Sequence, residues 1–137
     1  MTRALLLLVA AAFLLQEKPE VRFVAIDVMI DAGKSPLAAY QFELTGGDAA
    51  RIVGVEGGAG PFREAPYHDP AALQGGRIII AAFTTDPHPP SGRVHVARLH
   101  LMETGSPEYS AKLVVAAAPG GKPIEAKVEL VRTGGKK

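Results

Sequence analysis

The segment from Pro36 to Phe83 constrains the fold most, because glycine and proline break its period-two alternation at close intervals. Pro36-Leu-Ala-Ala-Tyr-Gln-Phe-Glu-Leu44 alternates large and small side chains, Gly46-Gly-Asp48 interrupts it, and Ile52-Val-Gly-Val55 resumes before Gly57-Gly58. A Pro66-Tyr-His-Asp-Pro70 loop then leads to Gly75-Gly-Arg-Ile-Ile-Ile-Ala-Ala-Phe83, too apolar for a strand with one wet face. Side chains alternate across a strand, so this rhythm predicts short strands and tight turns rather than helices.

The rest of the chain continues the pattern. Val24, Ile26, Val28 and Ile30 share one face, with Ala25, Asp27 and Met29 opposite, and Asp31–Pro36 is dense in turn formers. Ala38, Tyr40, Phe42 and Leu44 point inward and Gln41 and Glu43 outward, with Tyr40 expected where its hydroxyl finds a partner. Ile78, Ile80 and Ala82 oppose an equally apolar Ile79, Ala81 and Phe83. Beyond the proline-rich loop Thr85–Gly92, the strand Val94–Met102 places Ala97, Leu99 and Leu101 on one side. Tyr109, Ala111, Leu113, Val115 and Ala117, then Ile124, Ala126, Val128 and Leu130, supply the last inward sets, while Asp69–Leu73 fits one short turn. Seven or eight such strands without a repeat predict an all-β, antiparallel β-sandwich.

At 137 residues, with 47% apolar content, 15 glycines and 11 prolines, one core is expected. A net charge of +1 points to neither nucleic acid nor an acidic membrane. Met1-Thr-Arg3 and the twelve apolar residues Ala4–Leu15 read as a signal peptide over residues 1–16, too short for a comfortable membrane span. Ala10-Ala-Ala12 offers small residues, but Phe13-Leu-Leu15 follow and no Ala-x-Ala stands directly before Gln16, so an uncleaved anchor is the alternative. A linker over residues 17–20, a sandwich over 21–132 and a basic tail over 133–137 complete the expected organisation of a secreted or periplasmic protein. With no cysteine there is neither a lipidated thiol nor a disulfide, and the core must hold the domain alone.

Chemistry-bearing motifs are scarce. His95 and His100 lie five apart on one strand and so should face opposite ways; without a bulge between them they cannot share a metal. His68 and His88 fall in separate loops, and no transition-metal site is expected. Asp27, Asp31, Asp48, Asp69 and Asp86 sit at strand ends and turns, where calcium ligands gather, although capping of their own turns accounts for most of them. No cofactor is expected; calcium is the one ion these positions leave open. Gly-x-Ser-x-Gly is missing, Glu43 and Glu103 read as outward, solvated carboxylates, and Gly57-Gly-Ala-Gly60 opens no helix for a phosphate. An enzyme is not expected.

The order of motifs resembles that of cohesin domains and the related carbohydrate-binding modules with nine-stranded jelly-roll sandwiches. The features that match are Val24–Ile30, Leu37–Leu44 with its Gly-Asp turn, Ile52–Val55 leading to Gly57-Gly58, Gly76-Arg-Ile-Ile-Ile80, and Gly92-Arg-Val-His-Val-Ala-Arg-Leu-His-Leu101. The likeness covers about residues 21–132. It implies a non-catalytic module that docks a secreted or surface protein, such as a dockerin-like module, through one sheet face. On this chain that face would use outward residues of the Ile78 and Val94 strands: Ile79 and Phe83 as apolar contacts, Arg77, Arg98 and His100 as polar rim. A strand apolar on both sides is independently either covered or adhesive, and the two alternatives are an open face or one covered by a loop such as Glu64–Leu73.

Two other readings stand beside this one. Polysaccharide binding would rest on Tyr67 and Tyr109, with Phe62 the remaining aromatic expected at the surface. A structural cell-envelope protein would associate through open sheet edges.

Overall fold

A computed structural model describes residues 19–133. The expected signal peptide, residues 17–18 of the linker and residues 134–137 of the tail lie outside the described residues. Within them the chain is all-β, with strands β1 (Val21–Asp31), β2 (Ala39–Thr45), β3 (Ala50–Gly57), β4 (Tyr67–His68), β5 (Arg77–Phe83), β6 (Arg93–Thr104), β7 (Ser110–Ala118), β8 (Lys122–Pro123) and β9 (Lys127–Thr133). Single 3-10 turns occupy Gly60–Phe62, Pro70–Ala72 and Pro119–Gly121. No helix among the described residues is long and apolar enough to cross a membrane.

The strands form two antiparallel sheets, ordered β3-β6-β1-β9 and β4-β5-β2-β7-β8, that enclose one core as a sandwich. Each sheet contributes its inward row: Val28 and Ile30 of β1 with Leu99 and Leu101 of β6, against Phe42 and Leu44 of β2 with Ile78 and Ile80 of β5. Those rows follow the alternation of the sequence. Tyr40 is buried and donates its hydroxyl to the Val96 carbonyl at 3.3 Å. Its ring stacks on Phe42 and meets Phe62 edge-on at 5.4 Å. Phe62, expected at the surface, is 3% exposed, because the 3-10 turn at Gly60 folds it under the sheet edge.

Two glycine sites fix how the turns seat. A side chain at Gly58 would collide with the His95 carbonyl, and the neighbouring Ala59 N–H donates to that oxygen at 2.9 Å. A side chain at Gly76 would meet the Gly47 carbonyl, while Gly46 donates to the Gly76 carbonyl at 2.8 Å. Close backbone approach, rather than turn flexibility, requires glycine at both positions.

Strict alternation fails at three β-bulges. The register skips Val53 between β3 and β6, Val96 between β6 and β1, and Val114 between β7 and β2. A bulge places one extra residue on a strand and resets which side chains face inward. At Val96 it brings both Val96 and Ala97 into the core, so His95 and His100 emerge on the same outer face, contrary to the expectation from their spacing. At Val114 it turns Val115 outward, 44% exposed, where alternation placed it inside.

Glu103 departs further from expectation. It is fully buried instead of solvated, because it shares the inward parity of Leu99 and Leu101 and closes one end of the core. Four hydrogen bonds satisfy its carboxylate: Arg132 Nη1 to Oε1 at 2.9 Å, Arg132 Nη2 to Oε2 at 2.8 Å, Tyr109 Oη to Oε2 at 2.7 Å and Arg22 Nε to Oε1 at 3.2 Å. A buried charge is tolerable only when paired and bonded in this way. The Arg132 guanidinium, helped by Tyr109 and Arg22, overcomes desolvation and holds the Glu103 carboxyl at about 2.

Candidate binding surface

The outer face of the five-stranded sheet is built from residues that the ladder registers bring into rows. Tyr67 pairs with Ala81, Ala81 with Gln41 and Gln41 with Val115, making one row across four strands. Phe83 pairs with Ala39 on one side of that row; Ile79, Glu43 and Lys112 form the row on the other. Tyr67 is 77% exposed, Phe83 75% and Ile79 38%. Four large apolar side chains, Val115 included, thus share one open face. β-Branched and aromatic residues make these strands, and pleating sends every second one to water.

Polar groups bound the apolar centre. Arg77 Nε donates to Glu43 Oε1 at 2.8 Å, which holds the Glu43 carboxyl below its usual range. A shallow groove beside Tyr67 is lined by Gln41, Asp69, Arg77, Ile79 and Ala81. Asp69 caps the Pro70–Ala72 turn by accepting from the Ala71 N–H at 3.0 Å. Of the two alternatives for this face, cover by the Glu64–Leu73 segment is not what the structure has. Tyr67 and His68 instead pair with Ala81 and Ile80 and extend the sheet edge, leaving Ile79 and Phe83 open.

Of the five residues expected on one docking face, Arg77, Ile79 and Phe83 come together. Arg98 and His100 do not, because β6 belongs to the other sheet and their side chains lie on the opposite outer surface. There Arg98 grips Asp27 through Nε to Oδ1 at 2.7 Å and Nη2 to Oδ2 at 3.1 Å, which lowers the Asp27 pKa. His95 Nε2 lies 3.0 Å from Asp27 Oδ1 and 3.1 Å from the Ala97 carbonyl. Facing two acceptors, that nitrogen carries the proton. His100 Nε2 lies 2.6 Å from Glu56 Oε2. This surface carries the Asp27–Arg98 ion pair and its histidine neighbours at the middle of β1 and β6, with exposed Val21 and Phe23 toward the start of β1.

The other expected positions fall as follows. Tyr109 is part-buried against the core, with its hydroxyl on Glu103 and its pKa raised by desolvation and that carboxylate, so it is no sugar platform. Asp31 and Asp86 accept from the Gly33 and His88 N–H groups, as turn capping predicts. Among the described residues no group of three or more His, Cys, Asp or Glu side chains is arranged to hold a metal. Val115 and the Glu103 network were both absent from the expected sites. The first is hidden by its bulge; the second was signalled by the parity of Glu103 with Leu101.

Searches of protein-family models, curated proteins and solved structures find no match to this chain.

Proposed function

We propose that this protein is a secreted, non-catalytic binding module, a jelly-roll sandwich of cohesin-like type, that docks a protein partner through the outer face of its five-stranded sheet. The observation that carries this reading is the grouping of Tyr67, Ile79, Phe83 and Val115 on one exposed sheet face, ringed by Arg77, Glu43 and Lys112. Interfaces concentrate aromatic and aliphatic anchors at the centre with a polar rim around them. Fully burying Phe83 or Tyr67 in a partner contributes roughly 1.5–3 kcal/mol each before association entropy is counted. Nine strands in two antiparallel sheets agree with the architecture that the resemblance implies.

The test is capture of a defined partner from the secreted or surface proteins of the source by the immobilised protein. The variant carrying Ile79→Asp and Phe83→Asp keeps its fold, since both side chains are exposed, and weakens capture by about 30-fold or more, the scale of a lost hot spot. Arg98→Ala, on the opposite surface, leaves capture unchanged. Undiminished capture by the folded double variant would remove this face from consideration.

Polysaccharide is the second reading, favoured by one observation: Tyr67 stands open beside Gln41, Asp69 and Arg77, an aromatic plane flanked by planar hydrogen-bonding groups. Retention on insoluble polysaccharide that disappears with Tyr67→Ala supports it; no retention across a broad glycan panel dismisses it.

A further inference from the structure

The inward residues of the sandwich are unequally covered. Val28, Ile30, Phe42 and Leu99 are completely buried. On the flank where β7 faces β9, Leu113, Ala116, Ile124, Ala126, Val128 and Leu130 pack on the same core yet are only part-buried. The cause is the shortness of β8, which pairs with Ala117 and Ala118 alone, while Ile124 adds one bond to the Ala116 carbonyl. From Ser110 to Val115 the edge of β7 that turns away from β2 has, among the described residues, no strand hydrogen-bonded to it.

A groove of about 620 Å3 follows this edge, walled by Leu113, Val114 and Ala116 on one side and Ile124 and Ala126 on the other. Exposed Lys127 lines it, and exposed Lys34 and Lys122 line the groove that adjoins it. The facing acids are Asp31, already bonded to the Gly33 N–H, and Glu125. Over the two grooves three lysines thus stand against two acids, of which Asp31 is already engaged.

We propose that this flank is a strand-acceptor site: an extended segment of a partner protein, apolar on one side and acidic on the other, lies beside β7 over Ser110–Val115 and completes the sheet edge. Its backbone takes up the free donors and acceptors of β7, and its inward side chains cover Leu113 and Ile124. Its acidic side chains meet the lysines, since opposite charges on neighbouring strands stabilise the pairing and like charges oppose it. The same rule disfavours a second copy of β7, which would bring one lysine rim against another. The site is separate from the Tyr67–Phe83 face and does not depend on it.

A short synthetic peptide of alternating valine and glutamate is the probe, and one of alternating valine and lysine is its control. Amide hydrogen exchange of the intact protein is followed at those amides of Ser110–Val115 that point away from β2. At ten times its Kd the valine–glutamate peptide is expected to slow them about tenfold, with no slowing along the β3 edge. Lys127→Glu, at an exposed position that lines the groove, keeps the fold and weakens that preference in favour of the lysine peptide. The Ile79→Asp, Phe83→Asp variant responds as the unmodified protein does, so failure of the docking face and failure of this site are read separately. Three outcomes overturn the proposal: no slowing at saturating valine–glutamate peptide, equal slowing by both peptides, or protection without peptide in a protein that sediments as a dimer.

Discussion

Glu103 makes the core respond to acid. Its carboxyl is held at about 2, against 4.5 when unperturbed, mainly by the Arg132 hydrogen bonds. A folded pKa below the unfolded value contributes stability that is complete above about 4.5 and is lost as pH falls toward 2. The depression corresponds to about 3 kcal/mol for this fully buried group. Glu103→Gln is therefore expected to be several kcal/mol less stable at pH 7, with the gap to the unmodified protein closing as pH falls toward 2. Urea denaturation at pH 7, 4 and 2.5 measures that gap; a gap independent of pH would contradict the assignment. The Arg–carboxylate fork is the geometry that makes so buried a charge tolerable.

At the level of the strand, bulges decide which side chain meets water. Alternation counted forward from Ala111 and Leu113 makes Val115 a core residue, yet the extra residue at Val114 turns it outward. Val115→Asp is accordingly expected to change stability by less than about 1 kcal/mol, whereas Leu113→Asp, two positions earlier and packed on the core, costs more than about 3 kcal/mol. Chemical denaturation of the two variants distinguishes the bulged strand from a regular one. The strands themselves were legible because Val24–Ile30 and Ala38–Leu44 alternate without a break. A bulge leaves a subtler trace, a switch of apolar parity inside one strand: Val94 and Val96 on one phase, Ala97, Leu99 and Leu101 on the other. Both phases are inward, and only the backbone register explains how. The grouping of the residues expected to dock was half legible for a related reason. Periodicity gives the outward side of β5 and of β6 but not the sheet to which each belongs, so Ile79 and Phe83 were grouped with Arg98 and His100 across the thickness of the sandwich.

For the molecule as a whole, one core joins both sheets with no cysteine to reinforce it. Phe42→Ala, at a fully buried site, is expected to remove about 3–5 kcal/mol, a large share of the 5–15 kcal/mol that typical domains possess. A urea midpoint shifted by less than a third of that amount would show that the core rests elsewhere. The two outer surfaces differ: the Asp27–Arg98 ion pair faces water on one beside exposed Phe23, and Tyr67, Ile79, Phe83 and Val115 are exposed together on the other. The carboxylate cluster has one more consequence, and it concerns synthesis. Glu103 and its strongest partner Arg132 are 29 residues apart in the chain, an interval of roughly 1.5–6 s at about 5–20 residues per second. Throughout that interval a nascent chain offers the carboxylate no fork to enter the core with, and β9 has yet to reach its place beside β1. Glu103 can therefore enter the core as a paired charge only after β9, which carries Arg132, has been made and set beside β1.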